Sequence, residues 1–302
     1  MRKHLPTAAL AALVVTTAIA VAAPAHSLTT HRATTQAPAD VKERDGLRAI
    51  GLTDDQRLVD FPVEHPEWAR TLGQVSGLTG DQRIVGIDYR VQNGMLYGVG
   101  DQGGVYTLDD SSACATKVSQ LTVALTGTYF GVDFNPAANR LRIVSDTGQN
   151  LRHNIDDPAG APAAGTTAVD GTLTNPAVPP ATTGTTALGI TGVAYTNNDL
   201  DPATATTLFD VDTTLNRVAL QSPANTGTLA PTGGLGVDAD PDAGFDIYYS
   251  PTRATNQGYA ALGVGGARSL YRVDVLTGKA VAIGAFATAT AVVDLALPLA
   301  QD

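Results

Sequence analysis

Cysteine is almost absent from this chain. Cys114 is the only one in 302 residues, so no internal disulfide can form. Only Lys117 lies near it among groups that could activate a thiol, and it reads as a small residue in a turn. Glutamate is nearly missing too, with Glu43, Glu64 and Glu67 the only three, and lysine is scarce. Their loss removes the good helix formers, while Gly, Thr, Val and Asp abound, which is the composition of strands and tight turns. No G-x-S-x-G and no H-E-x-x-H occurs. His65 and His153 lie in separate segments, which excludes a zinc triad of the usual kind. Trp68 is the sole tryptophan, so a row of aromatic platforms for a long carbohydrate is missing. Gly98, Gly100 and Gly103 fit G-x-G-x-x-G, but the strand VYTL follows them where a dinucleotide site needs a helix, so they read as a hairpin turn.

Positive charge is short as well. The formal net charge is −10. The first residues carry two of the basic groups, Arg2 and Lys3, ahead of an apolar run from Ala8 to Ala23 and the small-x-small pattern Ala23-Pro24-Ala25. This is the pattern of a secretory signal, with cleavage expected after Ala25. The apolar run is too short for a membrane span. Without residues 1–25 the balance is 17 basic against 29 acidic groups, a net of −12. Nucleic acid and anionic membrane surfaces demand basic patches, so neither is an expected partner. A small molecule, a glycan or a protein is.

Residues 26–46 are polar and aperiodic and read as a flexible leader. Beyond Leu47 the chain repeats. IVGIDYR, MLYGVGD, GGVYTLDD and ATKVSQLT are four short runs rich in Val, Ile, Tyr and Thr, each ending at a turn signal. Similar quartets follow, and their first strands align Asp88, Asp133, Ala194 and Asp246 at spacings of 45, 61 and 52 residues. The longest spacing holds a Pro-, Ala-, Gly- and Thr-rich insertion at 157–187. Residues 47–76 supply only three strands, and the missing fourth is AVVDLAL, where Asp294 falls 48 residues after Asp246. The pattern predicts an all-β, five-bladed propeller of four-stranded antiparallel blades in a single domain over 47–298. The blades fall at 47–76 plus 291–297, 83–122, 129–174, 190–234 and 244–286, and the ring is closed by the C-terminal strand.

The stretches GLTGDQRIVGIDYR, FGVDFNPAANRLRIVSDTGQNLR, AYTNN and SLYRVDVLTGKAVAIG, spread from Gly77 to Gly284, resemble the secreted bacterial family called domain of unknown function 4394. The resemblance implies an extracellular or envelope propeller-like protein and implies no reaction. Ala194, where the other blades carry Asp, and Cys114, in a turn that usually holds Gly, depart from it.

Three sets of residues are candidates for chemistry. The first-strand aspartates Asp88, Asp133, Asp246 and Asp294 are expected along the central channel, where they could hold a cation or serve as the acid and nucleophile of a glycoside hydrolase. As members of the repeat, they could equally accept backbone N–H bonds from a neighbouring turn. Asp238, Asp240 and Asp242 alternate in a loop that ends in Gly244 and are a candidate Ca²⁺ site, although the spacing is not that of an EF-hand. Asp54, Asp55, Asp101, Asp146 and Asp212 are expected on the same face. Arg140, Arg142, Asn150 and Arg152 are a candidate ligand-binding group for an anion or sugar, or else an inter-blade salt-bridge network. The function that fits best is a secreted or envelope binding module with an acidic loop face. The alternative is a hydrolase using the channel aspartates.

Overall fold

The structure, a computed structural model, describes residues 46–301. The expected signal peptide and nearly all of the leader lie outside the described residues. Strands β1 (Arg48–Thr53), β2 (Arg57–Pro62) and β3 (Arg70–Gln74) come first. The second blade is β4 (Ile84–Arg90), β5 (Met95–Gly100), β6 (Gly104–Leu108) and β7 (Ala115–Gln120). The third is β8 (Phe130–Asn135), β9 (Arg140–Ser145), β10 (Asn150–Asn154) and β11 (Thr166–Val169). A two-stranded hairpin, β12 (Thr174–Asn175) with β13 (Thr185–Thr186), follows inside the insertion. The fourth blade is β14 (Ile190–Tyr195), β15 (Leu208–Asp212), β16 (Arg217–Gln221) and β17 (Leu229–Gly234). The fifth is β18 (Ala243–Ser250), β19 (Thr255–Val264), β20 (Ala267–Val273) and β21 (Ala280–Ala285). Last, β22 (Val292–Ala296) pairs antiparallel with β1 and becomes the innermost strand of the first blade. This is the five-bladed ring with C-terminal closure that the repeat predicts. The short hairpin β12–β13 is the one sheet that the repeat does not foreshadow.

The tight turns between first and second strands use equivalent positions. Gly94 (φ 67°) and Asn139 (φ 53°) each precede the second strand of their blade in the left-handed region, which glycine and asparagine adopt most readily. Inner strands are buried on both faces, as in RLRIVS of β9 and LFDVD of β15, while outer strands such as β7 and β21 are mostly exposed. The apolar core is therefore five layers between neighbouring blades. Leu52, Ile87 and Tyr106 fill one layer between blades one and two, and Val144, Val193 and Leu229 fill another between three and four. Full burial of such a side chain contributes about 1.5–3 kcal/mol.

A glycine precedes the axial aspartate by two residues in four blades, counting Ala194 as its equivalent: Gly86, Gly131, Gly192 and Gly244. Close approach of the inner strands explains it. A Cβ on Gly131 would lie 2.8 Å from the Val193 nitrogen, and one on Gly192 would lie 2.8 Å from the Phe245 Cβ. On Gly86 it would run into Val132, and on Gly244 into the Asp294 backbone. Side chains at these positions would hold neighbouring blades apart. Gly131→Ala is expected to destabilise the fold by about 1–3 kcal/mol, because the obstacle is backbone that cannot rotate away. Gly234→Ala, which meets nothing closer than 3.7 Å, is expected to stay within about 0.5 kcal/mol of wild type. Chemical denaturation of both variants measures the difference.

Candidate functional site

The carboxylates Asp88, Asp133 and Asp246 sit two residues after that glycine, and Asp294 takes the same place on the closing strand after Val292. They are buried: Asp88 is 4%, Asp133 1%, Asp246 2% and Asp294 9% exposed, which leaves no room for a sugar at the first three. Each reaches across to the next blade. Asp294 accepts the Ile87 N–H at 2.8 Å, Asp88 accepts Phe134 N–H at 2.8 Å, and Asp246 accepts Leu297 N–H at 2.7 Å. Asp133 accepts the N–H of Tyr195. The remaining oxygens of Asp88, Asp246 and Asp294 accept the N–H of the following residue, Tyr89, Ile247 and Leu295. The carboxylates are thus staples between blades. Burial is the main cause that raises the pKa of all four, with Asp246 pushed up to about 6, and mutual repulsion adds to it for Asp88, Asp133 and Asp294. Asp88 and Asp133 are buried, and the Asp88 carboxylate is spent on backbone N–H groups, so the two do not present an exposed hydrolase dyad.

The loop aspartates do not converge. Asp238 accepts Asn216 Nδ2 at 2.8 Å, and Asp242 is drawn off by Arg268 at 2.9 Å. Burial still raises the Asp242 pKa, against the pull of Arg268. Among the described residues, the group of acidic side chains whose oxygens do approach one another is Asp88, Asp133 and Asp246, so the expected Asp238–Asp240–Asp242 ion cradle is not formed. Asp101 and Asp146 are turn residues with structural tasks, accepting Gln82 N–H at 2.8 Å and Thr128 N–H at 2.9 Å. Asp242 instead joins Asp54, Gln56, Arg83, Tyr129 and Asp294 around a cavity of 190 Å³.

Arg140, Arg142, Asn150 and Arg152 come together, but as a network between blades. Arg142 is 2% exposed and donates to Asn150 Oδ1 (2.6 Å), Asp170 Oδ2 (2.8 Å), Asn225 Oδ1 (2.7 Å) and the Tyr195 hydroxyl (3.3 Å). Arg152 pairs with the other oxygen of Asp170 at 3.1 Å, and Arg140 with Asp157 at 3.0 Å. Their acidic partners come from the 157–187 insertion and its edge, not from Asp133. With all three guanidinium groups engaged by protein acceptors, the set is arranged as a network and not as an open anion clamp.

The family model described as domain of unknown function (DUF4394) matches residues 57–296. The chain belongs to this family. No curated protein matches it. An auxiliary nutrient binding protein from Bacteroides ovatus is 11% identical over 74% of this chain and 58% of its own, with a TM-score of 0.43. A protein of unknown function from Bacteroides thetaiotaomicron is 12% identical over 85% and 67%, with a TM-score of 0.45. A third, from Lactobacillus plantarum, is 17% identical over 79% and 66%, with a TM-score of 0.37. The chain spans less than two thirds of the length of the first and the third. Likenesses this distant carry no function to it.

Sequence reasoning missed the other half of the arginine network in this DUF4394 propeller, namely Asp170, Tyr195 and Asn225. It also missed Asp210 on β15. Asp210 is 0% exposed, neither of its oxygens has a hydrogen-bond partner, and burial raises its pKa well above the usual range while Arg142 opposes the rise. An acid flanked by apolar residues, as in LFDVD, was the available signal.

Arg142→Ala is expected to cost about 1–3 kcal/mol, because it leaves the buried Asn150 oxygen without its donor while Arg152 still holds Asp170. Equilibrium unfolding checks this. His153 sets an acid limit. Its ring lies 2.8 Å from the Ser119 hydroxyl and 3.0 Å from that of Thr167, and burial pushes its pKa down to about 4. The unfolded chain takes up this proton near its ordinary value and the folded chain only near 4, so the contribution is complete above about 6.5 and fades as pH falls towards about 4. His153→Leu is expected to lose about 2 kcal/mol less than wild type between those limits in pH-dependent urea melts, and parallel losses would refute the assignment.

Proposed function

We propose that this DUF4394 propeller is an exported binding module that takes a small cationic ligand or a basic segment of a protein at the acidic mouth of its axis. The observation that carries the reading is the 190 Å³ cavity, where Asp54, Asp242 and Asp294 come together with Gln56 and Tyr129, and Arg83 is the single cation. The cavity gathers residues from the β1–β2 turn, the starts of β4 and β8, the approach to β18 and the closing strand, so a ligand there would touch several blades. Concave sites with a few convergent polar groups are the usual binding positions of such rings, which is an analogy of fold and does not name the ligand. The net charge of −12 without residues 1–25 favours a cationic partner and draws it in. Among the described residues no helix is long and apolar enough to cross a membrane. Export rests on the basic start, the apolar run and Ala23-Pro24-Ala25.

Two experiments test the reading. Mass spectrometry of protein recovered from the medium of a bacterial host is expected to show a chain beginning at His26, whereas full-length protein confined to the cells would count against export. A thermal-shift and calorimetric screen of basic peptides, polyamines, glycans and cell-wall fragments is expected to return a cationic ligand whose affinity falls at least about tenfold in Asp54→Asn, the loss of one charge-assisted contact. The same ligand should be indifferent to Asp238→Ala. Binding that ignores Asp54 would place the ligand elsewhere.

A further inference from the structure

We propose that the axis of the propeller holds a hard divalent cation, Ca²⁺ or Mg²⁺, between the carboxylates of Asp88, Asp133 and Asp246. One oxygen from each lies within 4.8 Å of the other two, and all three side chains are buried. The charges that act most strongly on Asp88 and Asp133 are those of the neighbouring aspartates, Asp246 and Asp294 among them. Three carboxylates brought together in a low-dielectric interior either take up protons or have positive charge beside them.

A second observation comes from the place where the hydrogen-bond pattern breaks. Asp88, Asp246 and Asp294 each spend one oxygen on their own following N–H and the other on the next blade. Asp133 cannot do so, because Phe134 N–H, which follows it in the chain, is already given to Asp88. Oδ1 of Asp133 is left buried without any donor. A buried acceptor without a partner costs about 1–3 kcal/mol by mutational measure, so such an atom calls for a ligand. It is an acceptor of an acceptor-only group, and a cation fits it where another carboxylate or a carbonyl does not. The donor set is oxygen alone, which selects hard cations over Zn²⁺ or Cu²⁺. Such ions take about six or more oxygens, so the three carboxylates supply the anionic share of the shell. The ion would tie blades two and three to blade five across the ring. It needs no ligand at the mouth, and the inference stands apart from the function proposed above.

The test uses the mature chain, dialysed against EDTA and then melted alone, with CaCl₂ and with MgCl₂, alongside metal analysis of the undialysed protein by plasma mass spectrometry. Bound metal in stoichiometric amount is expected, together with a rise of about 5–10 °C in Tm with one of the two salts. Asp133→Asn, close to isosteric, is expected to abolish both, and Asp238→Ala in the loop to leave both intact. Where Asp133→Asn does not fold, Asp88→Asn is read the same way. A wild-type chain without metal whose Tm ignores both salts would overturn the proposal. So would a shift that survives Asp133→Asn, or one that vanishes in Asp238→Ala and so belongs to the loop.

Discussion

Five inner strands meet around one axis, four of them approaching the next at a distance that a Cβ atom would not allow, and the rest of the structure follows from that approach. Glycine at 86, 131, 192 and 244 lets the strands close in. Once they are close, the residue two places on can reach its neighbour, and aspartate is the side chain short enough to accept the next blade's N–H without disturbing the strand. The pairing from Asp294 to Ile87 joins residues 207 apart and closes the circle. Without β22 the first blade would lack its inner strand and the ring would keep two open edges.

Stapling by carboxylate has an electrostatic consequence. The same geometry that gives all but one of these oxygens a backbone donor gathers several acids in a buried space, and their ionised forms repel one another. The acidity that looks functional in the sequence is therefore partly architectural. The fourth blade differs: Ala194 replaces the axial aspartate there, and the junction between blades three and four is held by Arg142, Asp170, Tyr195 and Asn225 farther from the axis. Asp210, one strand out from Ala194, keeps a buried acid in the blade that lost its staple. The repeat breaks where the polar groups of the interior are reorganised.

The blades were legible because each strand is a short Val-, Ile- and Tyr-rich run closed by a turn signal, and because G-x-D recurs in phase. The spacing also placed the carboxylates correctly on the inner strands. Their partners were not legible, since the donor to Asp88 lies 46 residues away and the donor to Asp246 lies 51 away, on strands that no local pattern links. The same holds for Arg142, whose network depends on Asp170 in an insertion that composition marks only as loop. The Asp238–Asp242 run shows the opposite failure. Alternating aspartates suggested one ion, but Arg268 and Asn216, distant in sequence, pull two of them in different directions. Side-chain types and local spacing can be read from a sequence, whereas the choice among competing long-range donors is made only by the closed ring.

Native-state hydrogen exchange followed by NMR tests the stapled axis most directly. If the five inner strands form the constraint on which the ring depends, the amides of Ile87, Phe134, Tyr195 and Leu297 exchange only through global unfolding and are among the slowest in the molecule. Exchange of these four through local openings, faster than the amides that pair the middle strands of the blades, would contradict the account.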